Sequence, residues 1–319
     1  MPDISIIVPA YNEDESLPEL SQWIDTVMKT NNFSYEVFII DDGSTDNTWE
    51  VIETIHSGNK HIKGIKYQRN YGKSAALNTG FKAATGDVVI TMDADLQDSP
   101  DEIPGLYSMI MTDGYDLVSG WKKKRHDPIA KTVPSKFFNF VTSKVSGIKL
   151  HDFNCGLKAY KNKVIKSIDV YGEMHRYIPV IAKWAGFKKI SEKVVQHQER
   201  KYGVSKFGLE RFIFGFLDLV SITFVSRFKK KPMHFFGTLG TIVILFGLFF
   251  FGKLGWEIIQ DKWINQVAVR RELTDQPLFY LTLTSLIIGV QLFMAGFLGE
   301  MLSLNNPERN EYLIDKRHS

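Results

Sequence analysis

Cysteine is nearly absent from this sequence: of its 319 residues only one, Cys155, is a cysteine. A single cysteine excludes an intramolecular disulfide and a cysteine-based zinc site, and it is typical of a reducing compartment. Strong charge is also lacking, because a formal net charge of +3 is too small to indicate a nucleic-acid partner by itself. No tandem repeat or low-complexity segment is present. We expect Cys155 to be a small buried side chain.

Charged side chains are missing from two stretches near the carboxyl terminus. Residues 233–252 read MHFFGTLGTIVILFGLFFFG, and residues 277–299 read PLFYLTLTSLIIGVQLFMAGFLG. Since a helix rises about 1.5 Å per residue, 20 residues span about 30 Å, the thickness of the hydrocarbon layer. The sequence therefore predicts two transmembrane helices within a membrane domain, residues 233–319.

The amino terminus, MPDISIIVPAYNEDE, lacks the basic region and the long apolar core of a signal peptide. We therefore expect a soluble domain, residues 1–206, to remain on the cytoplasmic side of an inner or plasma membrane, and two spans to return the carboxyl terminus there. The basic stretch RFKKKP favours this orientation, although the loop between the spans is also basic. Residues 207–232 are aromatic but interrupted by charges, which predicts interfacial amphipathic helices; a helix packed on the soluble domain is the alternative.

The soluble domain alternates between two kinds of segment. Short β-branched runs (ISIIVP, YEVFII, IKGIKY, GDVVITM and DLVSG) are separated by stretches with helical spacing (SLPELSQWIDTVMK, NTWEVIETIH and KSAALNTGFKAA). This pattern predicts an α/β fold with a parallel, doubly wound sheet. Ligands of such sheets bind at the carboxyl ends of the strands. Two acidic clusters, DDGSTDNT and DADLQDSP, follow strands there.

Each acidic cluster has an ordinary structural explanation that covers only part of it. In the first, Ser44, Thr45 or Asp46 can cap the next helix, which leaves Asp41 and Asp42 without a task. In the second, Asp98 or Ser99 followed by Pro100 makes a helix start. That leaves Asp93 and Asp95, which with the amide oxygen of Gln97 are hard ligands suited to Mg²⁺ or Mn²⁺.

Several ordered motifs carry a family resemblance. IIVPAYNE, DDGSTDNT, RNYGKSAALNTGF and MDADLQDSP resemble family-2 inverting glycosyltransferases with the GT-A nucleotide-sugar fold. HDFNCGLKAY, GEMHRYIP, HQERKYGVSKFG and the two carboxyl-terminal spans narrow the resemblance to polyprenyl-phosphate glycosyltransferases. That group includes the dolichol-phosphate mannose synthases and the bacterial undecaprenyl-phosphate glucosyltransferases, and the likeness covers nearly the whole chain.

The resemblance implies a role for particular residues. The implied nucleotide-sugar site consists of Pro9, Tyr11, Glu13, Asp41, Asp42, Asp93, Ala94, Asp95, Gln97, Arg200 and Lys206. Within it, Asp93, Asp95 and Gln97 are the implied ligands of Mg²⁺ or Mn²⁺ on the donor pyrophosphate. The cation would offset carboxylate repulsion and stabilise charge on the leaving nucleoside diphosphate. Without metal and nucleotide, we expect this site to be electrostatically strained.

The lipid acceptor requires basic groups. The stretch WKKKRHD and the following helix contain Lys122, Arg125 and Lys136. The resemblance implies that these three residues and Arg200 bind the phosphate of the acceptor. The alternative is that the basic residues form a solvated face. Many relatives have arginine where this chain has Lys122, and a lysine lacks the bidentate fork of arginine.

For the reaction, the resemblance implies that a phosphate oxygen of the acceptor attacks the anomeric carbon in line with the departing diphosphate. The implied catalytic residues are Asp95, Asp152 and Arg200, with Asp152 left open between general base, orienting group and structural turn residue. His175 and Arg176 organise the pocket in this interpretation, and a purely structural His175 is the alternative.

The expected activity is transfer of a hexose from a nucleotide sugar, UDP-glucose by preference, to undecaprenyl phosphate. The product would be a lipid-linked monophosphate sugar for modification of cell-envelope glycans. A processive polysaccharide synthase would carry a Q-x-x-R-W element and more spans. The remaining alternatives are a membrane-anchored nucleotide-sugar-binding module without turnover and a transferase using GDP-mannose or another donor. The expected partners are a nucleotide sugar, a polyprenyl phosphate and the membrane, with a homo-oligomer possible through glycines of the spans.

Overall fold

The computed structural model describes residues 1–123, 129–199, 201–202, 224, 228, 231–264 and 273–304. The chain divides into two compact units, residues 1–222 and 223–319. Most of the interfacial stretch predicted at 207–232 lies outside the described residues. The domain boundaries expected from the sequence therefore stay predictions.

Within the described residues, seven strands of the first unit form one sheet in the order β3-β2-β1-β4-β6-β5-β7. The strands are β1 Ile4–Ala10, β2 Tyr35–Asp41, β3 Ile62–Lys66, β4 Val88–Thr91, β5 Leu117–Trp121, β6 Lys158–Lys161 and β7 Ile190–Val194. The first five correspond to the five strands that the sequence predicts. Neighbours in β3-β2-β1-β4 pair in parallel, as expected for βαβ units.

The helices of this unit connect the strands or follow them. Those among the described residues are α1 Leu17–Thr30, α2 Thr48–Gly58, α3 Lys73–Ala83, α4 Ile103–Met111, α5 Ile129–Ser146, α6 Asn162–Ile165 and α7 Ile178–Trp184. In α1 the buried residues Leu17, Leu20, Ile24 and Met28 recur every three or four positions. This spacing places them on one face, which is the physical reason that the segment forms an amphipathic helix.

The sheet has an apolar core on each face. Ile4, Ile6 and Val8 of β1 belong to a cluster with residues of α1 and α4. Ile7 of the same strand belongs to a second cluster, with residues of α3 and α7. Because successive strand side chains point to opposite faces, one strand contributes to both cores. The sheet is therefore doubly wound, as predicted.

The sequence predicts a parallel sheet of five strands, and β6, which it does not predict, makes the sheet mixed. This strand runs antiparallel to both β4 and β5 and separates them. The chain passes from β5 through α5 and the turn at residues 152–157, and then runs through β6 in the opposite direction. The sequence of β6, KAYK, has neither a β-branched run nor apolar alternation, although Lys158, Ala159 and Tyr160 are all buried. Its position is decided by tertiary contacts.

A buried carboxylate joins the strands at the opposite, amino-terminal edge of the sheet. Glu36 of β2 accepts hydrogen bonds from Ser5 Oγ at 2.7 Å, from Thr85 N at 2.8 Å and from Lys63 Nζ at 2.8 Å. Burial alone would raise the pKa of Glu36, but the hydrogen bonds from Lys63, Thr85 and Ser5 outweigh it and lower the pKa to about 2. Glu36 thereby fastens β2 to β1, to β3 and to the turn before β4.

The second unit contains two long apolar helices, α8 Pro232–Ile259 and α9 Pro277–Leu304. Both are long and apolar enough to cross a membrane, and only 17% and 22% of their most apolar windows are buried within the protein. Such exposure differs from that of a core helix of a soluble protein. The segments predicted at 233–252 and 277–299 lie inside these candidate membrane spans.

Glycines allow the two helices to approach closely. A Cβ built on Gly240 would lie 2.7 Å from the carbonyl oxygen of Gly289, and one on Gly289 would lie 2.9 Å from Ile244 N. A Cβ on Gly296 would lie 3.0 Å from Gly237 N. These separations are shorter than ordinary contact, so the helix backbones touch only because the side chains are absent. These glycines therefore serve contact within one chain.

Candidate active site

The two acidic clusters lie at the same edge of the sheet. β2, β1 and β4 are adjacent and parallel, so their carboxyl ends point the same way. Asp41 is the last residue of β2, and Asp93 follows β4 by two positions. Asp42 N donates to the carbonyl of Ala10 at the end of β1, at 2.8 Å. Both acidic clusters therefore lie at the carboxyl ends of parallel strands, as the sequence predicts.

Hydrogen bonds fasten the loop after β1 to the loop after β2. Asn12, in the left-handed conformation with φ +54°, donates its N–H to Ser44 Oγ at 2.9 Å. Its side-chain oxygen accepts from Thr45 N at 2.9 Å, and Glu13 N donates to Thr48 Oγ1 at 2.9 Å. The loop that carries Tyr11 and Glu13 is thus held beside the first acidic cluster. Pro9, in β1, pairs in register with Ile40.

Asp41 and Asp42 have different surroundings. Asp41 is fully buried, and its Oδ1 accepts from Ser44 N at 2.8 Å, which closes the turn after β2. Asp42 accepts from Tyr71 N at 2.7 Å and Gly72 N at 2.9 Å, and so holds the start of α3 against the site. Burial, with the neighbouring Asp41, raises the pKa of Asp42 despite these two hydrogen bonds.

The carboxylate of Asp93 is enclosed on one side and open on the other. Its Oδ1 forms an ion pair with Lys73 Nζ, and the two side chains are 30% and 29% exposed. Any Cβ at Gly156 would overlap the Asp93 carboxylate, so glycine is required there for close approach. Burial would raise the pKa of Asp93, but Lys73 and then Lys122 hold it well below the usual range. The expected carboxylate repulsion is thus offset by lysine.

Asp95 and Gln97 lie on the tight turn that follows. Leu96 adopts the left-handed conformation, with φ +60°, and Gln97 N donates to Asp95 Oδ1 at 3.2 Å. Both side chains are partly exposed, whereas Ala94 between the aspartates is buried in the core. The Gln97 carbonyl accepts from Gln198 N at 3.0 Å, which brings residue 198 to the site.

Asp98 and Lys122 form a buried ion pair that the sequence did not reveal. Their Oδ1 and Nζ atoms lie 2.8 Å apart, and the side chains are 0% and 13% exposed. Burial would lower the pKa of Lys122, but Asp98 outweighs it and the pKa is raised. The cap of the next helical turn is instead Ser99, whose Oγ accepts from Asp101 N at 3.3 Å. Lys122, predicted to bind the acceptor phosphate, is thus engaged by Asp98.

Asp152 is 1% exposed, and its Oδ1 accepts from Asn154 N at 3.0 Å, an arrangement typical of a turn-forming aspartate. The preceding residue, His151, stacks on Trp121 with ring centroids 4.0 Å apart. His151 also bonds Glu192 through its backbone N–H, at 2.7 Å, and through its ring. The turn that carries Asp152 is therefore fixed from both ends.

A buried lysine in β6 was not predicted from the sequence. Lys158 is 3% exposed and donates to the Cys155 carbonyl; no carboxylate among the described residues lies within 4.0 Å of its ammonium. Burial lowers the pKa of Lys158. It lines a small cavity together with Lys73, Asn154 and His175. Its strand lacks an apolar pattern, so nothing in the sequence marked it as buried.

Two further expectations concern Cys155 and His175. Cys155 is buried, as predicted. Its burial and, to a smaller extent, the nearby Asp98 raise the pKa of its thiol to about 12. The ring of His175 lies 3.0 Å from Ser74 Oγ, and its backbone N–H donates to the same oxygen at 3.0 Å. His175 thus joins the start of α3 to the cavity wall.

The donor set of the second cluster fits a hard divalent cation. Among the described residues, no group of three or more His, Cys, Asp and Glu side chains is placed to hold a metal. Asp93 and Asp95 provide two carboxylates, and Gln97 adds an amide oxygen. Mg²⁺ commonly uses one or two protein carboxylates and takes its other ligands from substrate phosphates and water. These three residues fit such an ion.

Four predicted site residues lie outside the part of the chain that the structure describes. They are Arg125, the side chain of Lys136, Arg200 and Lys206.

The sheet order and the carboxylates at the strand ends are typical of α/β proteins whose ligands bind at the carboxyl ends of the strands. The model of the family "Glycosyl transferase family 2" matches residues 5–169, and the chain belongs to this family. The fold is that of the GT-A nucleotide-sugar transferases, as predicted.

Relatives of known name cover nearly all of the chain. Dodecaprenyl-phosphate galacturonate synthase of Rhizobium johnstonii is 34% identical over 304 residues, which are 94% of this chain and 88% of the relative. Undecaprenyl-phosphate 4-deoxy-4-formamido-L-arabinose transferase of Klebsiella pneumoniae is 32% identical over 301 residues, covering 94% and 88%. The predicted resemblance to polyprenyl-phosphate glycosyltransferases is confirmed.

Solved structures share the fold at lower identity. Mannosyl-3-phosphoglycerate synthase from Rubrobacter xylanophilus superposes with a TM-score of 0.56 at 16% identity, covering 70% of this chain and 74% of that one. Glucosyl-3-phosphoglycerate synthase from Mycobacterium tuberculosis, in complex with Mn²⁺, UDP and phosphoglyceric acid, gives 0.54 at 18% identity, covering 71% and 78%.

Proposed function

We propose that this protein transfers a sugar from a nucleoside-diphosphate sugar to a polyprenyl phosphate at the surface of a membrane. The observation that carries the proposal is that Asp42, Asp93 and Asp95 all lie at the carboxyl edge of the sheet, in a chain that also has two candidate membrane spans. Relatives that span almost the whole chain are named for transfer to dodecaprenyl or undecaprenyl phosphate. An undecaprenyl-type acceptor is accordingly the first to test.

The donor nucleoside would lie over the linked loops after β1 and β2, against Pro9, Tyr11, Glu13 and Asp42. Asp95 and Gln97, with Asp93, would hold Mg²⁺ or Mn²⁺. When bound, such an ion stabilises negative charge on the leaving diphosphate. We propose UDP-glucose as the first donor to test, with UDP-galacturonate and GDP-mannose as competing donors, since a relative is named for galacturonate.

The reaction we propose inverts the anomeric centre. The acceptor phosphate is anionic at neutral pH, so its oxygen can attack carbon without a strong general base. Asp152, buried and bonded to Asn154 N, would therefore position the turn near the reaction centre rather than remove a proton. Arg200 and Lys206, with Lys122, Arg125 and Lys136, remain proposed phosphate-binding residues.

The membrane arrangement we propose follows from the same chemistry. A polyprenyl phosphate keeps its chain in the bilayer and its phosphate at the interface, so the acceptor reaches only a soluble domain anchored there. α8 and α9 would supply that anchor, with both termini on the cytoplasmic side of the inner or plasma membrane. The product would be a lipid-linked sugar monophosphate for cell-envelope glycans.

The test is release of nucleoside diphosphate by the detergent-purified full chain, across UDP- and GDP-sugars, with and without undecaprenyl phosphate and Mg²⁺ or Mn²⁺. We expect release to require both the lipid phosphate and the metal. Asp95→Asn should abolish release, whereas Asp113→Asn, an exposed aspartate after α4, should retain it. Nucleotide binding without lipid-dependent turnover for any donor would refute transfer and favour a binding module.

A further inference from the structure

The ion pair between Lys73 and Asp93 occupies a carboxylate that the proposed cation also needs. Lys73 is the first residue of α3, and its ammonium bonds Asp93 Oδ1. The two side chains are each nearly one-third exposed to solvent, so the pair lies near the surface of the site. The inference drawn from this pair rests on the proposed function.

Gly156 encloses the carboxylate of Asp93 on one side. Gly156 lies so close that a single added carbon would overlap the carboxylate. Lys73 pairs with the partly exposed carboxylate, so a divalent ion bound to Asp93 would lie close to the Lys73 ammonium. Two cations at one carboxylate repel each other, so Lys73 and the metal compete for it.

A displaced Lys73 would need a new anionic partner. Lysine is a point charge on a flexible four-carbon stem, so its ammonium can change partner while α3 stays in place. Asp42 holds the start of α3 at the carboxyl edge of the sheet, because its carboxylate accepts hydrogen bonds from Tyr71 N and Gly72 N. A nucleoside diphosphate brings phosphate oxygens to this edge, and these are strong acceptors for an ammonium.

We propose that Lys73 is a displaceable cation that pairs with Asp93 in the ligand-free site and passes to a phosphate oxygen of the donor diphosphate when metal and donor bind. Lys73 thus has two successive roles. It keeps isolated metal ions off Asp93, and it binds the diphosphate once the donor arrives. Metal and nucleotide would consequently bind together more readily than metal alone.

The experiment measures binding by the full chain in detergent, without turnover. Free Mn²⁺ is followed by electron paramagnetic resonance, first with Mn²⁺ alone and then with Mn²⁺ and UDP, with GDP as a second nucleotide. For Lys73→Met we expect Mn²⁺ alone to bind about three- to tenfold more tightly, because its competitor is removed. Binding of UDP in the presence of Mn²⁺ should weaken about tenfold, because a charged phosphate contact is lost.

Two variants serve as controls. Lys82→Met removes the same charge from the exposed last turn of α3, and neither affinity should change. Lys73→Arg keeps the charge, and its affinity for UDP with Mn²⁺ should stay close to that of the wild type. Thermal unfolding of each variant establishes that the proteins compared are folded.

Opposite shifts of the two affinities in Lys73→Met support the proposal. If Lys73 only holds Asp93 in place, both affinities of Lys73→Met fall together, and that result overturns the proposal. The absence of either shift also overturns the proposal. Wild-type protein that binds neither UDP nor GDP with Mn²⁺ would overturn the proposed function itself. If the wild type binds the nucleotide and the affinities of Lys73→Met equal those of Lys82→Met, only the proposed role of Lys73 is overturned.

Discussion

Replacement of Gly156 by alanine should disable the site without unfolding the protein. The added Cβ would overlap the carboxylate of Asp93, since ordinary carbon contacts are about 3.5–4.0 Å and the space is about 1 Å too short. Gly156 lies in the turn before β6, and its backbone does not adopt the left-handed conformation. The substitution therefore acts through the added carbon and not through backbone strain.

In Gly156→Ala, the carboxylate of Asp93 is the group that must move. The backbone around Gly156 is fixed because Thr91 Oγ1 donates to its carbonyl at 2.8 Å. Asp93 is partly exposed and can rotate towards solvent, which moves its oxygens by about 1 Å and breaks the ion pair with Lys73. Displacements of about 1 Å in a site commonly cost about a hundredfold in rate. We expect kcat/KM of Gly156→Ala to fall by about that factor, while stability falls by about 1 kcal/mol.

The assay is nucleoside-diphosphate release at several donor concentrations, with thermal unfolding in parallel. Gly58→Ala is the matched control, because a Cβ at the end of α2 meets nothing within 4 Å. Its activity should equal that of the wild type. Wild-type activity in a folded Gly156→Ala protein would refute the argument that the position of Asp93 matters.

Three further outcomes are expected. Glu36→Gln should lower the free energy of unfolding by about 2–3 kcal/mol at neutral pH. Because the folded-state pKa of Glu36 is lowered to about 2, its contribution is present above about pH 4.5 and lost as the pH falls towards 2; the wild-type advantage in thermal unfolding should thus shrink near pH 3. Cys155, 2% exposed and with a pKa of about 12, should react with a maleimide at neutral pH at least about a hundredfold more slowly in native than in denatured protein. Gly289→Leu should separate α8 from α9 and lower the unfolding temperature in detergent, whereas Val290→Leu, on an exposed position, should not.

The strands and helices in the first half of the first unit could be predicted from the sequence, because β1 to β5 and α1 to α3 have strong local patterns. The two apolar helices were accessible for the same reason, since length and the absence of charge are local properties. β6 was not, because its four residues are placed by strands on either side. The local patterns therefore predicted the parallel strands and did not predict the antiparallel strand β6.

The amino-acid sequence by itself determined which residues reach the carboxyl edge of the sheet, because Asp41, Asp93 and Asp95 follow recognisable strands. Only the tertiary structure decided how their charges are balanced. The ion pairs of Asp93 with Lys73 and of Asp98 with Lys122 join residues 20 and 24 positions apart, and no local periodicity relates them. Periodicity reports burial, whereas partners for a charge depend on which strands and loops happen to be neighbours. For that reason the sequence predicted the candidate metal ligands but not the lysines that pair with the carboxylates.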